Sequence, residues 1–279
     1  MTSASDLLFG TAGVPHKTPS GSTLAGIKQA SQLGLDCLEV EFVRGIRINS
    51  DLARAIKKEA RACGVKLSVH APYYMNLNSP EVGKRLASQE RLLASARMAE
   101  KCWAENVVFH PGYYGRTAPE KAFQTIKKGI EEVVSILRAE RSRIVLRPET
   151  MGKKTQFGTL EEILLLCREI EGIKPCIDFS HIHSREGRAN RYEEFQRIFR
   201  KIEKKLGKKA LKNMHIHISG AEYSEKGEMK HIDLRESDFR YDEWIQTLKD
   251  LGIEGTVICE SPNLEKDALM LKNLFVQGG

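Results

Sequence analysis

The chain has 279 residues, 41% of them hydrophobic and 29% charged, with 22 Gly and 9 Pro. These proportions exclude a collagen-like, low-complexity or largely disordered polypeptide. Its 44 Lys and Arg against 37 Asp and Glu leave a net charge of +7, a bias compatible with a polyanionic partner and insufficient to establish one.

Short runs rich in β-branched residues alternate with longer amphipathic stretches from one end to the other. LLFGTAG from Leu7 precedes a helical pattern over 22–34, CLEVEFV from Cys37 one over 51–63, and KLSVHA from Lys66 one over 81–104. NVVFHPG from Asn106 precedes 118–139, and RIVLRPE from Arg143 precedes 160–171. KPCIDFS from Lys174 precedes 191–206, NMHIHIS from Asn213 precedes 241–251, and GTVICES from Gly255 precedes 264–275. Ser22, Ser50, Ser79 and Thr159 are candidate helix caps, and Gly34, Gly64, Gly172, Gly207 and Gly252 candidate stops. Eight βα units in ~280 residues predict an α/β chain folded as a (β/α)8 TIM barrel. A doubly wound sheet is disfavoured because no GxGxxG follows the first strand.

No Gly/Ser linker or Pro-rich spacer divides the chain, so a single domain over 1–279 is expected, its one long loop running from Gly220 to Arg240. The beginning, MTSASDLLFGTAG, lacks a basic start with a long apolar run, and no stretch reaches the ~18 apolar residues of a bilayer crossing. The six cysteines stand singly, without a CxxC pair. The expectation is a cytoplasmic enzyme with no membrane association, whose cysteines are mostly small core residues.

A TIM barrel carries its chemistry at the C-terminal ends of its strands. Those ends here hold Glu39 and Glu41, His70, His110, Glu149, Asp178 and His181, His215 and His217, and Glu260. Of eight histidines, only His16 falls away from this rim; His183 reads as a polar loop residue and His231 sits in the long loop. Imidazoles mixed with carboxylates, without a thiolate cluster, suit Zn2+, Mn2+ or Fe2+ in an open catalytic site. The number of ligands exceeds the need of one ion, which points to a multinuclear hydrolase.

In order and spacing, SVHAPYYMNL, VVFHPGYYG, RPETMGK, CIDFSHIH, NMHIHISG and ICESP resemble the successive motifs of endonuclease IV, within the xylose isomerase-like TIM barrels. The resemblance implies a DNA-repair endonuclease that hydrolyses the phosphodiester 5′ to abasic sites in double-stranded DNA. It implies two or three Zn2+ ions, with Mn2+ or Fe2+ as alternatives, and a metal-bridged hydroxide as nucleophile. His70 and His110 would bind a first ion, and Glu149 would bridge it to a second held by Asp178, His215 and Glu260. Glu149 and Glu260 are the catalytic carboxylates on this reading. His181 and His231 match two ligands of a third ion, while Met229 stands where the family has aspartate, so the third site is weakened, empty, or completed by a neighbour such as Glu228 or Asp233. If the alignment is right, Met229→Asp should raise the third ion's occupancy.

Arg44, Tyr73 and Arg116 are the candidate substrate-binding residues, Tyr73 because the resemblance places it against the abasic nucleotide. Arg47, Tyr74, Tyr113, Tyr114, Lys153, Lys154, Arg185, Arg188 and Arg191 lie in neighbouring loops. The basic run from Lys204 to Lys209 reads as a solvated helix face. The chain is expected to act as a monomer. The rival function is a divalent-metal sugar isomerase or epimerase with Glu149 and Glu260 as acid and base, since Glu149, Asp178, His215 and Glu260 satisfy the tetrad of those enzymes equally well.

Overall fold

The structure, a computed structural model, describes residues 7–277. The first six residues and the last two, and with them part of the reading of the N-terminal start, lie outside the described residues. Eight parallel strands line the centre: β1 (Leu7–Ala12), β2 (Cys37–Glu41), β3 (Lys66–His70), β4 (Asn106–Phe109), β5 (Val145–Pro148), β6 (Ile177–Asp178), β7 (Met214–Ile218) and β8 (Gly255–Cys259). Their order is β5-β4-β3-β2-β1-β8-β7-β6. The two outermost strands meet through single bridges, Leu146 to Ile173 and Glu149 to Cys176. Three backbone hydrogen bonds reinforce that seam, Lys174 N–H to the Leu146 carbonyl (3.1 Å), Cys176 N–H to the Pro148 carbonyl (3.0 Å) and Thr150 N–H to the Cys176 carbonyl (3.1 Å). Pro148 has no N–H to donate to the Lys174 carbonyl, so one rung of the ladder is missing there. The sheet thus curls into the TIM barrel that the alternating pattern predicts.

The helices are α1 (Thr23–Gln32), α2 (Ser50–Cys63), α3 (Val82–Lys101), α4 (Pro119–Ala139), α5 (Leu160–Glu169), α6 (Phe179–Glu186), α7 (Tyr192–Leu206), α8 (Tyr241–Asp250) and α9 (Glu265–Gln277). Ser22 caps α1 as read, and Thr159 caps α5 in a reciprocal capping box with Glu162. Asn49 rather than Ser50 caps α2, and α3 starts after Glu81 with no side-chain cap, not at Ser79. The helix absent from the sequence reading is α6. Its residues, FSHIHSRE, are too polar to show an apolar stripe, but the Asp178 side chain accepts from His181 N–H (2.7 Å) and Gly187 ends the helix at φ 60°. His183 therefore lies in a helix, not a loop. It is buried, with Nδ1 3.0 Å from the Arg188 carbonyl and Nε2 3.1 Å from Asp238.

The outer core fixes α6 against the barrel. On α7, Phe195, Ile198, Phe199 and Ile202 recur at the spacing of one helix face and are all buried. Phe179 of α6 packs against Phe195, Phe199 and Trp244 with ring centroids 5.9, 5.2 and 5.7 Å apart. Burial of each such ring contributes about 1.5–3 kcal/mol relative to exposure. The segment after β7 is a hairpin, Gly220–Ser224 paired with Gly227–Ile232, followed by a 3-10 turn over Leu234–Glu236.

Strand register sorts the inward side chains into levels. Ile177 faces Ile216 and Asp178 faces His217; Glu39 faces Ser68 and Glu41 faces His70. Because side chains alternate along a strand, Glu41, His70, Glu149, Asp178 and His217 share the mouth level. Glu39, Ser68, Arg147, Cys176 and His215 lie two residues deeper, about 6.6 Å down each strand.

Candidate metal centre at the barrel mouth

Glu149, one residue beyond β5, is the hub. Its Oε2 lies 3.3 Å from His70 Nε2 at the end of β3 and 3.0 Å from His110 Nε2 just past β4. Its Oε1 lies 3.2 Å from His181 Nδ1 on α6 and 3.4 Å from His217 Nδ1 on β7. Glu260, directly after β8, completes that side, with its Oε1 3.3 Å from His217 Nδ1. Two groups with metal-ligand spacing share Glu149: His70, His110 and Glu149, and Glu149, Asp178, His217 and Glu260.

One sequence assignment is corrected here. His215 is not beside Asp178; the β6–β7 register puts His217 opposite Asp178 and leaves His215 a level deeper. His215 Nε2 instead lies 2.9 Å from Glu39 Oε2. Counting back from the strand end would have chosen His217, since β7 runs to Ile218 and the histidine nearer that end reaches the mouth. Cys176 also comes near the centre, within ligand spacing of His215 and His217. Burial pushes its thiol up to about 12, which keeps it protonated.

The third group is His181, Glu228 and His231. Glu228 Oε2 lies 3.1 Å from His181 Nε2, and its Oε1 lies 3.4 Å from His231 Nε2. Met229, in the position where the family has aspartate, is 62% exposed and takes no part. A β-bulge explains the exchange. Glu222 pairs with Lys230 and Tyr223 with Glu228, so Met229 is the extra residue, and the pleat beyond it is reversed. Backbone approach seats the hairpin: Glu228 N–H reaches the Gly152 carbonyl at 3.2 Å. A Cβ on Gly152 would lie 2.8 Å from Glu228 Cβ and 2.9 Å from His181 Cδ2, so glycine is needed there. Asp233, the other candidate to complete this group, instead accepts from Asn263 N–H at 3.1 Å.

The electrostatics follow from burial among opposite charges. Burial opposes ionisation of Glu149, but His110 and His217 outweigh it and hold its carboxyl well below the ordinary range. Burial lowers His110. For His181, burial is overcome by Asp178, Glu149 and Glu228, which raise it well above its ordinary value. Glu228 is lowered to about 2, its burial outweighed by His181 and His231. Glu260 is raised by burial and by Glu149, with His217 opposing. Glu41, absent from the candidate ligands, is raised to about 7 by burial, helped by Glu39 and Glu260 against His70. It accepts a hydrogen bond from the Tyr73 hydroxyl at 2.9 Å.

The residues fit a cluster of divalent cations. Asp178 Oδ2 and His217 Nδ1 are buried polar atoms without a hydrogen-bond partner, and both belong to the Glu149–Glu260 side of the centre. Such orphans are rare unless an ion or water meets them. Imidazole and carboxylate donors in an open cleft are those of catalytic Zn2+, Mn2+ or Fe2+ sites.

The substrate-binding candidates fare differently. Tyr73 stacks on His110, with centroids 5.1 Å apart and planes at 23°. It lines a recess of about 290 Å³ with Met151, Lys153, His181, Glu228 and Glu260. Arg44 is exposed and lines a separate recess of about 350 Å³ with Glu41, Val43 and Arg47. Arg116 is exposed on the loop before α4 and does not line either recess. Arg185 is committed to the carbonyls of Met151, Lys153 and Gln156, and the Tyr114 hydroxyl to Glu162.

The family described as "Xylose isomerase-like TIM barrel" matches residues 27–274. An uncharacterized protein of Methanocaldococcus jannaschii is 43% identical over 270 residues, 96% of this chain and 97% of its own. A probable endonuclease 4 of Aquifex aeolicus is 26% identical over 221 residues, 76% of each chain. Among solved structures, endonuclease IV from Thermus thermophilus superposes with a TM-score of 0.75 at 20% identity, over 97% of this chain and 98% of that one. A D-tagatose 3-epimerase-like protein does so with 0.74 at 19% identity, over 96% of each. Among the described residues no helix is long and apolar enough to cross a membrane. With a match that takes in nearly every strand and every group of the centre, the chain belongs to the xylose isomerase-like TIM-barrel family of enzymes.

Proposed function

We propose that this chain is a metal-dependent phosphodiesterase that nicks double-stranded DNA on the 5′ side of abasic sites. The observation that carries this reading is the third group, His181, Glu228 and His231, set against Glu149. An enzyme that only moves a proton between carbons needs one cation, whereas displacement at a phosphodiester gains from several. Relatives named probable endonuclease 4 support it.

Divalent cations held by His70, His110 and Glu149, by Glu149, Asp178, His217 and Glu260, and by His181, Glu228 and His231 would supply an activated water and neutralise charge on the phosphate. The remaining work falls to the chain. Glu149 keeps one carboxylate oxygen toward His70 and His110 and the other toward His181 and His217, so it sets the spacing of all three groups. The recess of about 290 Å³ admits one sugar-phosphate unit but not a stacked duplex, so the target must be turned out of the helix. Tyr73 presents a ring at the edge of that recess, and Lys153 offers an ammonium to the backbone phosphate. Net positive charge assists encounter with DNA.

A duplex with a single abasic site, incubated with the zinc-loaded protein, should be nicked 5′ to the lesion, and chelation should stop it. An intact duplex under those conditions would overturn the proposal. One observation favours a second reading: Glu149, Asp178, His217 and Glu260 form the four-ligand set of a sugar epimerase or isomerase, with Glu149 and Glu260 as the acid/base pair. Interconversion of ketohexoses by the same preparation, with the duplex untouched, would establish that reading instead.

A further inference from the structure

We propose that Glu39, in the level beneath the centre, is a positioning residue that selects which nitrogen of His217 is free to bind a cation. Glu39, His215 and His217 are all 0% exposed, so no solvent competes for their hydrogen bonds. Glu39 is itself anchored: its Oε2 accepts from the Ser68 hydroxyl at 2.6 Å and faces His215 Nε2 at 2.9 Å. Its Oε1 lies 2.9 Å from His217 Nε2. The opposite nitrogen of the same ring, Nδ1, lies 3.4 Å from Glu149 and 3.3 Å from Glu260.

A neutral imidazole carries one N–H, and its two tautomers are close in energy until a neighbour chooses between them. Here the carboxylate below favours the tautomer with its N–H at Nε2, leaving the lone pair on Nδ1, the nitrogen nearer Glu149 and Glu260. His217 Nε2 and Glu39 Oε1 stand within hydrogen-bonding distance without being aligned, and neither nitrogen of the ring has another aligned partner. His215 then acts at one remove, as the second imidazole bracing the same carboxylate. This carboxylate–histidine pairing orients metal ligands and raises their basicity. Glu39 and His215 thereby acquire roles that their distance from the mouth would otherwise hide.

The inference rests on the centre being a metal site and is independent of the substrate. In the zinc-loaded protein, long-range proton–nitrogen NMR should find His217 protonated at Nε2 and ligated at Nδ1; the reverse assignment overturns the proposal. In calorimetric titration with Zn2+, Glu39→Gln should weaken one binding step by about 10–100-fold and leave the others unchanged. Glu39→Asp should recover part of the loss, because it retains the carboxylate. Equal affinities in wild type and Glu39→Gln overturn the proposal while leaving the metal centre standing. Absence of any zinc binding by the wild type would remove the centre itself. Should Glu39→Gln fail to fold, the wild-type NMR assignment decides alone.

Discussion

Arg147 and Glu149, two residues apart on one strand end and one level apart in the barrel, are served by their surroundings in opposite ways. At the lower level Arg147 donates to Asn106 Oδ1 (2.6 Å), Pro175 O (3.0 Å) and Asn213 Oδ1 (2.6 Å), and Ser68 donates to Glu39. At the upper level Asp178 Oδ2 and His217 Nδ1 are buried with no partner, a condition that Glu39 Oε1 and His215 Nδ1 share just below. Polar groups satisfied from within stabilise the fold, whereas buried groups left unsatisfied mark where a ligand is to be bound. Arg147 and Glu149 embody the contrast on a single strand end.

The largest expected effect is at Glu149. Glu149→Gln should reduce hydrolysis by at least about a thousandfold with the circular dichroism unchanged, because the shared carboxylate is lost from the centre. Arg147→Met should do the converse. Chemical denaturation should show a loss of roughly 2–5 kcal/mol from the stranded acceptors, while the folded fraction retains its full cation complement. If both variants lost activity and stability alike, the distinction between the levels would fail.

Glu228→Ala should remove one cation per chain by elemental analysis and lower the rate by about 10–100-fold. The metal-free protein offers a test through pH. Glu41, raised to about 7 from an ordinary 4.5, holds a proton in the folded state that the unfolded chain has shed. Its contribution is therefore full below pH 4.5 and lost as pH rises through 7, and Glu41→Gln should flatten that part of the stability curve. Glu228, lowered to about 2, contributes in the opposite sense, fully above pH 4.5 and less as pH falls toward 2. The smallest effect is at Met229→Asp. Its exposed position predicts an unchanged cation count, in contrast to the gain expected from the motif alone.

Much of this was legible in the sequence because strand ends were. Alternating apolar runs gave the barrel, and His70, His110, Glu149, Asp178 and Glu260 were placed at one rim by counting along them. The errors came where the chain's path depends on pairing. His215 and His217 share one face of a strand, and only the register with β6 decides which reaches the mouth. Glu228 and Asp233 were both candidates to complete the third group, and only a bulge that no periodicity announces decides for Glu228. Helix α6 went unread because FSHIHSRE shows no apolar stripe and its cap, Asp178, also ends a strand. Arg116, chosen for its place in a loop after β4, lies outside both mouth recesses, since charge and loop position do not fix where a flexible side chain is carried.

The seam between β5 and β6 is an irregular stave joint, with Pro148 leaving out one rung of the ladder and single bridges on either side. Glu149 extends from one edge of that joint and Asp178 from the other. Any cation gripping both carboxylates rivets the cylinder shut, so loading the centre and completing the wall become one event. Heat tolerance should then climb with bound zinc, and the Thr150 and Cys176 amides should exchange with deuterium far more slowly once it is present.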